Sequence, residues 1–230
     1  MQGWSWNGFF EYLFNAYLLE GAITTIWLTA AGILAGLVVG GVVALLRLSP
    51  YPIVSRLAQS YIWLFRGTPL LVQLIIIYTG LPQIGLRFSV VQSALLGLIL
   101  NEGAYLAEII RGGILSVPAG QTNAGRALGL RPPQVMRYVV LPQAVRVIIP
   151  ALGNSVNGLL KTTSITSVIS MEELLRKTQI LIQEKFLVLE LFMVAALYYL
   201  MMTSLWDVVQ RRIETHYGRA YRPVEIVETH

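Results

Sequence analysis

The chain has 230 residues, 55% hydrophobic and only 13% charged, with a net charge of +5 and no cysteine. A soluble domain carries about 25% charged residues, and the deficit here falls in blocks, as when long segments sit in lipid. The missing cysteines exclude disulfides and thiolate metal sites, two histidines (His216 and His230) are too few for a histidine metal centre, and basic residues set between apolar blocks do not form a nucleic-acid face.

Residues 1–17 contain Trp4, Trp6, Phe9, Phe10, Tyr12 and Phe14, which predict an aromatic interfacial helix at the headgroups. A bilayer core of about 30 Å needs roughly 20 apolar helical residues. Five stretches meet that length: Leu18–Leu46, Leu57–Tyr78, Val90–Ile110, Val147–Ile169 and Leu187–Val209. The first has too long an apolar core for a cleavable signal peptide, and no basic residue precedes it. Its Gly32, Gly36, Gly40 and Ala44 form a small-residue seam, read as a close helix contact within the subunit rather than between subunits. In the second, Arg66-Gly-Thr-Pro69 interrupts the helix, because Pro69 cannot bond to the carbonyl of Phe65. A structural kink is the reading adopted there, with a gate as the alternative.

In the third span, Asn101 and Glu102 fall near mid-depth beside Gly103, where a carboxylate is a default site hypothesis. Two readings stand for Glu102: contact with an amino or cationic group of a substrate, or a buried pair with Lys161 or Arg66. Glu108 and Arg111 lie near the end of that span and read as packing residues. In the fourth span Asn154, Asn157, Lys161 and Ser164 recur at helical spacing and share one stripe. A lysine deep in a span costs about 2.5–3.5 kcal/mol on insertion scales, so it should face protein or water. The stripe either lines a path or subunit interface, or carries a lysine that snorkels or pairs structurally.

Arg47, Arg56, Arg111, Arg126, Arg131, Arg137 and Arg146 surround the loops after spans one and three, and Arg211, Arg212, Arg219 and Arg222 follow span five. The other side holds Arg87, Arg176, Lys177 and Lys185 among Glu172, Glu173 and Glu184. The positive-inside rule puts the N-terminus outside and the C-terminus inside, as an odd number of spans requires. The organisation expected is an N-terminal interfacial segment (1–17), a membrane domain (18–210) with a cytoplasmic loop at 112–146, and a polar, partly disordered tail (211–230).

In that loop Pro118 can start a helix and Gly129 can end one. Pro132 and Pro133 predict a second short helix that ends before Pro142. Between Pro118 and Gly129, the small residues Ala119, Ala124, Gly125 and Ala127 would let another protein's surface approach closely; an ordinary connector is the alternative. The chain has no nucleotide site of its own. Gly153-Asn-Ser-Val-Asn-Gly158-Leu-Leu-Lys161-Thr162 places its lysine two residues too late for a phosphate loop and lies in an apolar span.

The loop resembles that of binding-protein-dependent importers of the ATP-binding-cassette class, whose pattern is E-A-A-x3-G-x9-I-x-L-P. Asn123-Ala124-Gly125, Gly129 and Val139-x-Leu141-Pro142 keep its spacing, with Asn123 for glutamate, Gly125 for alanine and Val139 for isoleucine. Phe65–Gln73, Ala104–Ile114, Val139–Ala144 and Leu160–Ile165 resemble the polar-amino-acid branch of these permeases. The resemblance implies an all-α integral membrane protein of about five transmembrane helices, permease-like in the type I importer sense, with a cytoplasmic coupling helix. It implies a non-enzymatic subunit of an ATP-driven amino-acid importer in a bacterial cytoplasmic (inner) membrane. It further implies an ATPase-docking surface at Asn123, Ala124, Gly125, Arg126, Ala127, Leu128 and Gly129.

The partners implied are two ATP-binding-cassette subunits, a second permease subunit (homo- or heterodimer), an extracytoplasmic amino-acid-binding protein and membrane lipid, with no nucleic acid. No cofactor is expected in this chain; ATP and Mg belong to the partner ATPase. Asn101, Glu102, Asn154, Asn157 and Lys161 are the substrate-path candidates, and Glu102 leans toward a cationic or polar substrate. A secondary transporter would show an internal repeat, and none is visible. An intramembrane hydrolase would need a nucleophile elbow, which Gly153-Asn-Ser-Val-Asn157 does not complete.

Overall fold

The computed structural model describes residues 4–218, and every regular element among them is helical. An aromatic helix, α1 (Trp6–Leu13), is capped by the Ser5 hydroxyl, which accepts from the amide of Gly8. Trp4, Trp6, Phe9 and Phe10 pack there ring against ring. The long helix α2 (Ala16–Arg47) follows, opened by the Asn15 side chain.

The small-residue seam of α2 packs within the subunit, against α5 (Val90–Leu115). A β-carbon added at Gly40 would stand 2.9 Å from the amide of Ala107 and the carbonyl oxygen of Gly103. The absent side chain is what lets the two backbones meet. Gly36 faces Leu106 and Glu102, and Gly32 faces Leu159 of the fourth span. This seam sets the depth at which α5 sits, and thereby places Asn101 and Glu102.

The second span is broken more deeply than a kink. Helix α3 (Pro52–Gly67) ends at Thr68, and α4 (Leu70–Ile75) restarts after Pro69, continuing through a π turn (Ile76–Gly80) and a 3-10 turn (Leu81–Ile84). The two arms are bent by 101°. Thr68 and Pro69 both take extended backbone angles, so the missing proline N–H ends the helix outright. Among the described residues, four helices are long and apolar enough to cross a membrane, and this bent pair makes the fifth candidate.

Pro142 does not end a helix, contrary to the expectation from the loop sequence. A single helical run, Pro132–Ile169, begins with α7 (Pro132–Val135), widens to a π turn (Met136–Val140), continues as α8 (Leu141–Thr162) and tightens to a 3-10 turn (Thr163–Ile169). The π turn takes its last bond from Leu141 to Met136, which spaces the backbone so that Pro142 enters at the first turn of α8. The helix that carries the fourth span therefore starts well before Val147.

Helix α9 (Leu174–Lys185) fills a stretch that reads in sequence as a charged loop. The fully buried Glu173 caps it, accepting from the amides of Leu175 and Arg176 and from the Tyr199 hydroxyl. Lys177 reaches Glu20 of α2 at 2.8 Å and lies over the Tyr17 ring. The last helix, α10 (Val188–Gly218), runs past Val209 and into the segment expected to be a tail. Arg219, Arg222 and His230 lie outside the described residues.

Candidate functional site

The break in the second span forms one wall of a cavity of about 540 Å³. Arg66, Gly67, Thr68 and Pro69 line it from the break, Asn101, Glu102 and Tyr105 from α5, and Ser155, Gly158 and Thr162 from α8. Glu102 is buried, and its Oε1 has no hydrogen-bond partner among the described residues. The pairing with Lys161 or Arg66 is not found: among the described residues, the ion pairs are Glu108–Arg111 and Glu20–Lys177. Arg66 instead lies over the Tyr105 ring, 5.1 Å from its centroid. The wall thus presents a carboxylate and a guanidinium, neither neutralised by the other. Gly103, next to Glu102, is small because an added β-carbon would meet Val39 at 2.9 Å and the Tyr61 hydroxyl at 3.0 Å.

Asn101 turns toward the break. Its Nδ2 donates to the carbonyl of Phe65 and to Oε1 of Gln73, each at 3.1 Å. Gln73, from the first turn of α4, donates through Nε2 to Phe65 O at 2.9 Å, Thr68 O at 3.1 Å and Thr68 Oγ1 at 2.9 Å. The Tyr61 hydroxyl adds a second tie, donating to Leu100 O at 2.6 Å. The carbonyl that Pro69 frees is therefore met by two side-chain amides. Sequence reasoning does not single out Gln73, although its place four residues after Pro69 puts it within reach of the broken end.

The polar stripe of α8 faces away from this cavity. Ser155, Gly158 and Thr162 look toward Glu102, while Asn154, Asn157 and Lys161 sit about 100° around the helix. Asn157 donates to Asp207 of α10 at 2.6 Å. Asn154 and Lys161 are exposed, and Lys161 shares a groove with Ser164 and with Tyr199 and Thr203 of α10. The five path candidates thus part company: Asn101 and Glu102 of α5 line the cavity, while Asn154, Asn157 and Lys161 lie on another face of α8.

In the loop, α6 (Ala119–Ala127) starts after Pro118 and closes with a paired cap. Gly129 N bonds to Arg126 O at 2.9 Å and Leu130 N to Gly125 O at 3.1 Å, with Gly129 at φ +80°. This is the Schellman arrangement, which needs a left-handed residue that glycine supplies without strain. Gly125 is buried against Val135 and Val139, whereas Asn123, Ala124, Arg126, Ala127 and Gly129 are exposed. Leu128 is 83% exposed at the tip. A small-faced helix with a bare leucine at its end thus rests on the Pro132–Ile169 helix through Val135 and Val139.

The sequence of residues 11–219 matches the family model described as binding-protein-dependent transport system inner membrane component. The chain belongs to that family. The permease is 37% identical over 232 residues to an arginine transport system permease protein of Corynebacterium glutamicum, covering 95% of this chain and 73% of the relative. It is 39% identical over 199 residues to a glutamine transport system permease protein of Escherichia coli K12, covering 86% of this chain and 91% of the relative.

Among solved structures it superposes on an amino acid ABC transporter with histidines at a TM-score of 0.88, with 35% identity over 94% of this chain and 100% of the other. The inward-facing MetNI methionine ABC transporter gives a TM-score of 0.71 at 22% identity, over 87% of this chain and 95% of the other, a likeness of fold alone. The all-α fold expected from the spans and the loop motif is the fold observed, and the permease role within an importer follows from the family.

Proposed function

We propose that this permease is one membrane half of an ATP-driven amino-acid importer in a bacterial cytoplasmic membrane, with its N-terminus outside and its C-terminus inside. The observation that carries the coupling is α6: a short helix, rigidly capped at Gly129 and seated on the fourth span through Gly125, with its small-residue face and Leu128 exposed. Such a helix can transmit the motion of an ATPase groove to the Pro132–Ile169 helix that lines the cavity. ATP and Mg would be held by two ATP-binding-cassette subunits, since this chain has no phosphate loop. An extracytoplasmic binding protein would deliver the amino acid, and a second permease subunit would complete the path.

The cavity beside Glu102 is the proposed substrate site in this chain. A zwitterionic amino acid offers an ammonium group and a carboxylate, which Glu102 and Arg66 complement in sign. The relatives named for arginine and glutamine support an amino-acid cargo with a cationic or polar side chain. The exposed Asn154 and Lys161 would face the second subunit or the aqueous path, because a cation turned toward lipid costs several kcal/mol.

Affinity purification of the tagged chain from mild detergent tests the assembly. An ATP-binding-cassette subunit should co-purify with it in near-stoichiometric amount. Isolation of the permease alone, under conditions where the membrane fraction contains that ATPase, would count against the proposal.

A further inference from the structure

We infer that Gln73 and Asn101 form a clasp that holds the second span bent, and that they act as positioning residues for the cavity. Inside a bilayer, a carbonyl freed by proline must find another donor, because no water is there to supply one. The carbonyl of Phe65 finds two, Gln73 Nε2 at 2.9 Å and Asn101 Nδ2 at 3.1 Å. The two amides also bond to one another, Asn101 Nδ2 to Gln73 Oε1. Gln73 is buried while Phe65, Thr68 and Asn101 are half-buried, so the network is partly shielded from competing solvent.

The geometry joins three elements at one point. Phe65 and Thr68 belong to the end of α3, Gln73 to α4 and Asn101 to α5, and the bend they enclose is 101°. Asn101 immediately precedes Glu102, whose carboxylate lines the cavity wall, and Gly67, Thr68 and Pro69 line the facing wall. A shift of α5 that moves Glu102 therefore also pulls on the carbonyl of Phe65. The clasp links the occupancy of the cavity to the bend that forms its wall. This second step rests on the reading of the cavity as the substrate site; the holding of the bend does not.

The test labels Leu57 and Ile84, both exposed on opposite arms of the span, with nitroxides in a complex carrying one labelled copy. At 1.5 Å per residue, a straight helix would separate them by about 40 Å, whereas two arms at the observed bend give about 25 Å. The unsubstituted clasp should give the short distance in a narrow distribution. Gln73→Met keeps the shape and removes the amide, and Asn101→Ala removes the second donor. Each variant should lengthen or broaden the distance, and coupled uptake should fall at least tenfold with more ATP hydrolysed per amino acid imported.

An unchanged, narrow distance in both variants would overturn the clasp, whatever happens to uptake. The distance is measured without amino acid, so it does not depend on where the substrate binds. If Glu102→Gln leaves uptake and preference untouched while the distance still responds to Gln73→Met, the site assignment fails and the clasp stands. If one variant is not recovered by size exclusion as a folded complex, the other carries the measurement.

Discussion

Val135 leaves almost no room at Gly125: a β-carbon added there would lie 3.3 Å from Val135 Cγ2 and 3.4 Å from Val139 Cγ2. Position 125 is where the importer pattern carries alanine, and this contact gives the departure a physical reason. Helix α6 sits a few tenths of an ångström closer to the Pro132–Ile169 helix than an alanine would comfortably allow. Gly125→Ala needs a shift of a few tenths of an ångström and should leave ATPase binding nearly intact. Gly125→Leu must push α6 off α7, and should abolish co-purification of the ATPase while the permease still inserts. Equal binding by both variants would show that the seating of α6 does not matter.

Gly129 acts through its backbone. Its φ of +80° is a left-handed conformation, and nothing lies within 4 Å of an added β-carbon. A β-carbon costs about 1–2 kcal/mol in that conformation, which would loosen the Leu130–Gly125 bond. Gly129→Ala and a bulkier residue should therefore behave alike, both uncoupling hydrolysis from transport without loss of membrane insertion. A bulky residue that uncouples while alanine does not would place the cause in a clash with the ATPase instead.

Glu102→Gln preserves shape and removes the charge at the cavity wall. Uptake measured across a panel of cationic, polar and acidic amino acids should drop most for the cationic ones. A wild-type profile for the whole panel would make Glu102 a packing residue.

Much of this arrangement is legible in the sequence, for identifiable reasons. Span positions follow from apolar length, and the loop helix α6 follows from Pro118 and Gly129, both local signals. The depth of the break at Pro69 is not local. It depends on Gln73 and on Asn101, 28 residues further along, and no periodicity reports that pairing. The fate of Pro142 is hidden because a π turn can carry a helix into a proline, which spacing rules do not anticipate. Helix α9 does leave a trace, since Glu173 precedes Leu174, Thr178 and Leu181 at spacings of four and three, all of them buried. Its charged residues conceal the pattern. The stripe Asn154–Asn157–Lys161 is real as a stripe, but which way it faces depends on how α8 is rotated against α5.

The cap of α9 offers a stability test. Burial pushes the Glu173 carboxyl above the usual range, against the pull of its two backbone amides. Glu173→Gln should thus be tolerated better than Glu173→Ala, which loses an N-cap worth about 0.5–2 kcal/mol and leaves Tyr199 without its acceptor. Glu20→Gln removes the charge opposite the largely buried Lys177 but keeps an amide oxygen for its ammonium, which also lies over Tyr17, so the loss should stay at about 1 kcal/mol. Thermal unfolding of the detergent-solubilised permease should place Glu173→Ala lowest, Glu173→Gln above it, and Glu20→Gln nearest the unsubstituted chain. An alanine variant as stable as the glutamine one would show that the cap contributes nothing.

Energy coupling is tested most directly by uptake into sealed vesicles that contain the permease, its ATPase and the binding protein at the outer face. With ATP and Mg enclosed, labelled amino acid should accumulate against its gradient, and it should not do so with a non-hydrolysable analogue enclosed instead. Accumulation that proceeds equally without hydrolysable ATP would contradict the account and make the chain a transporter driven by another source.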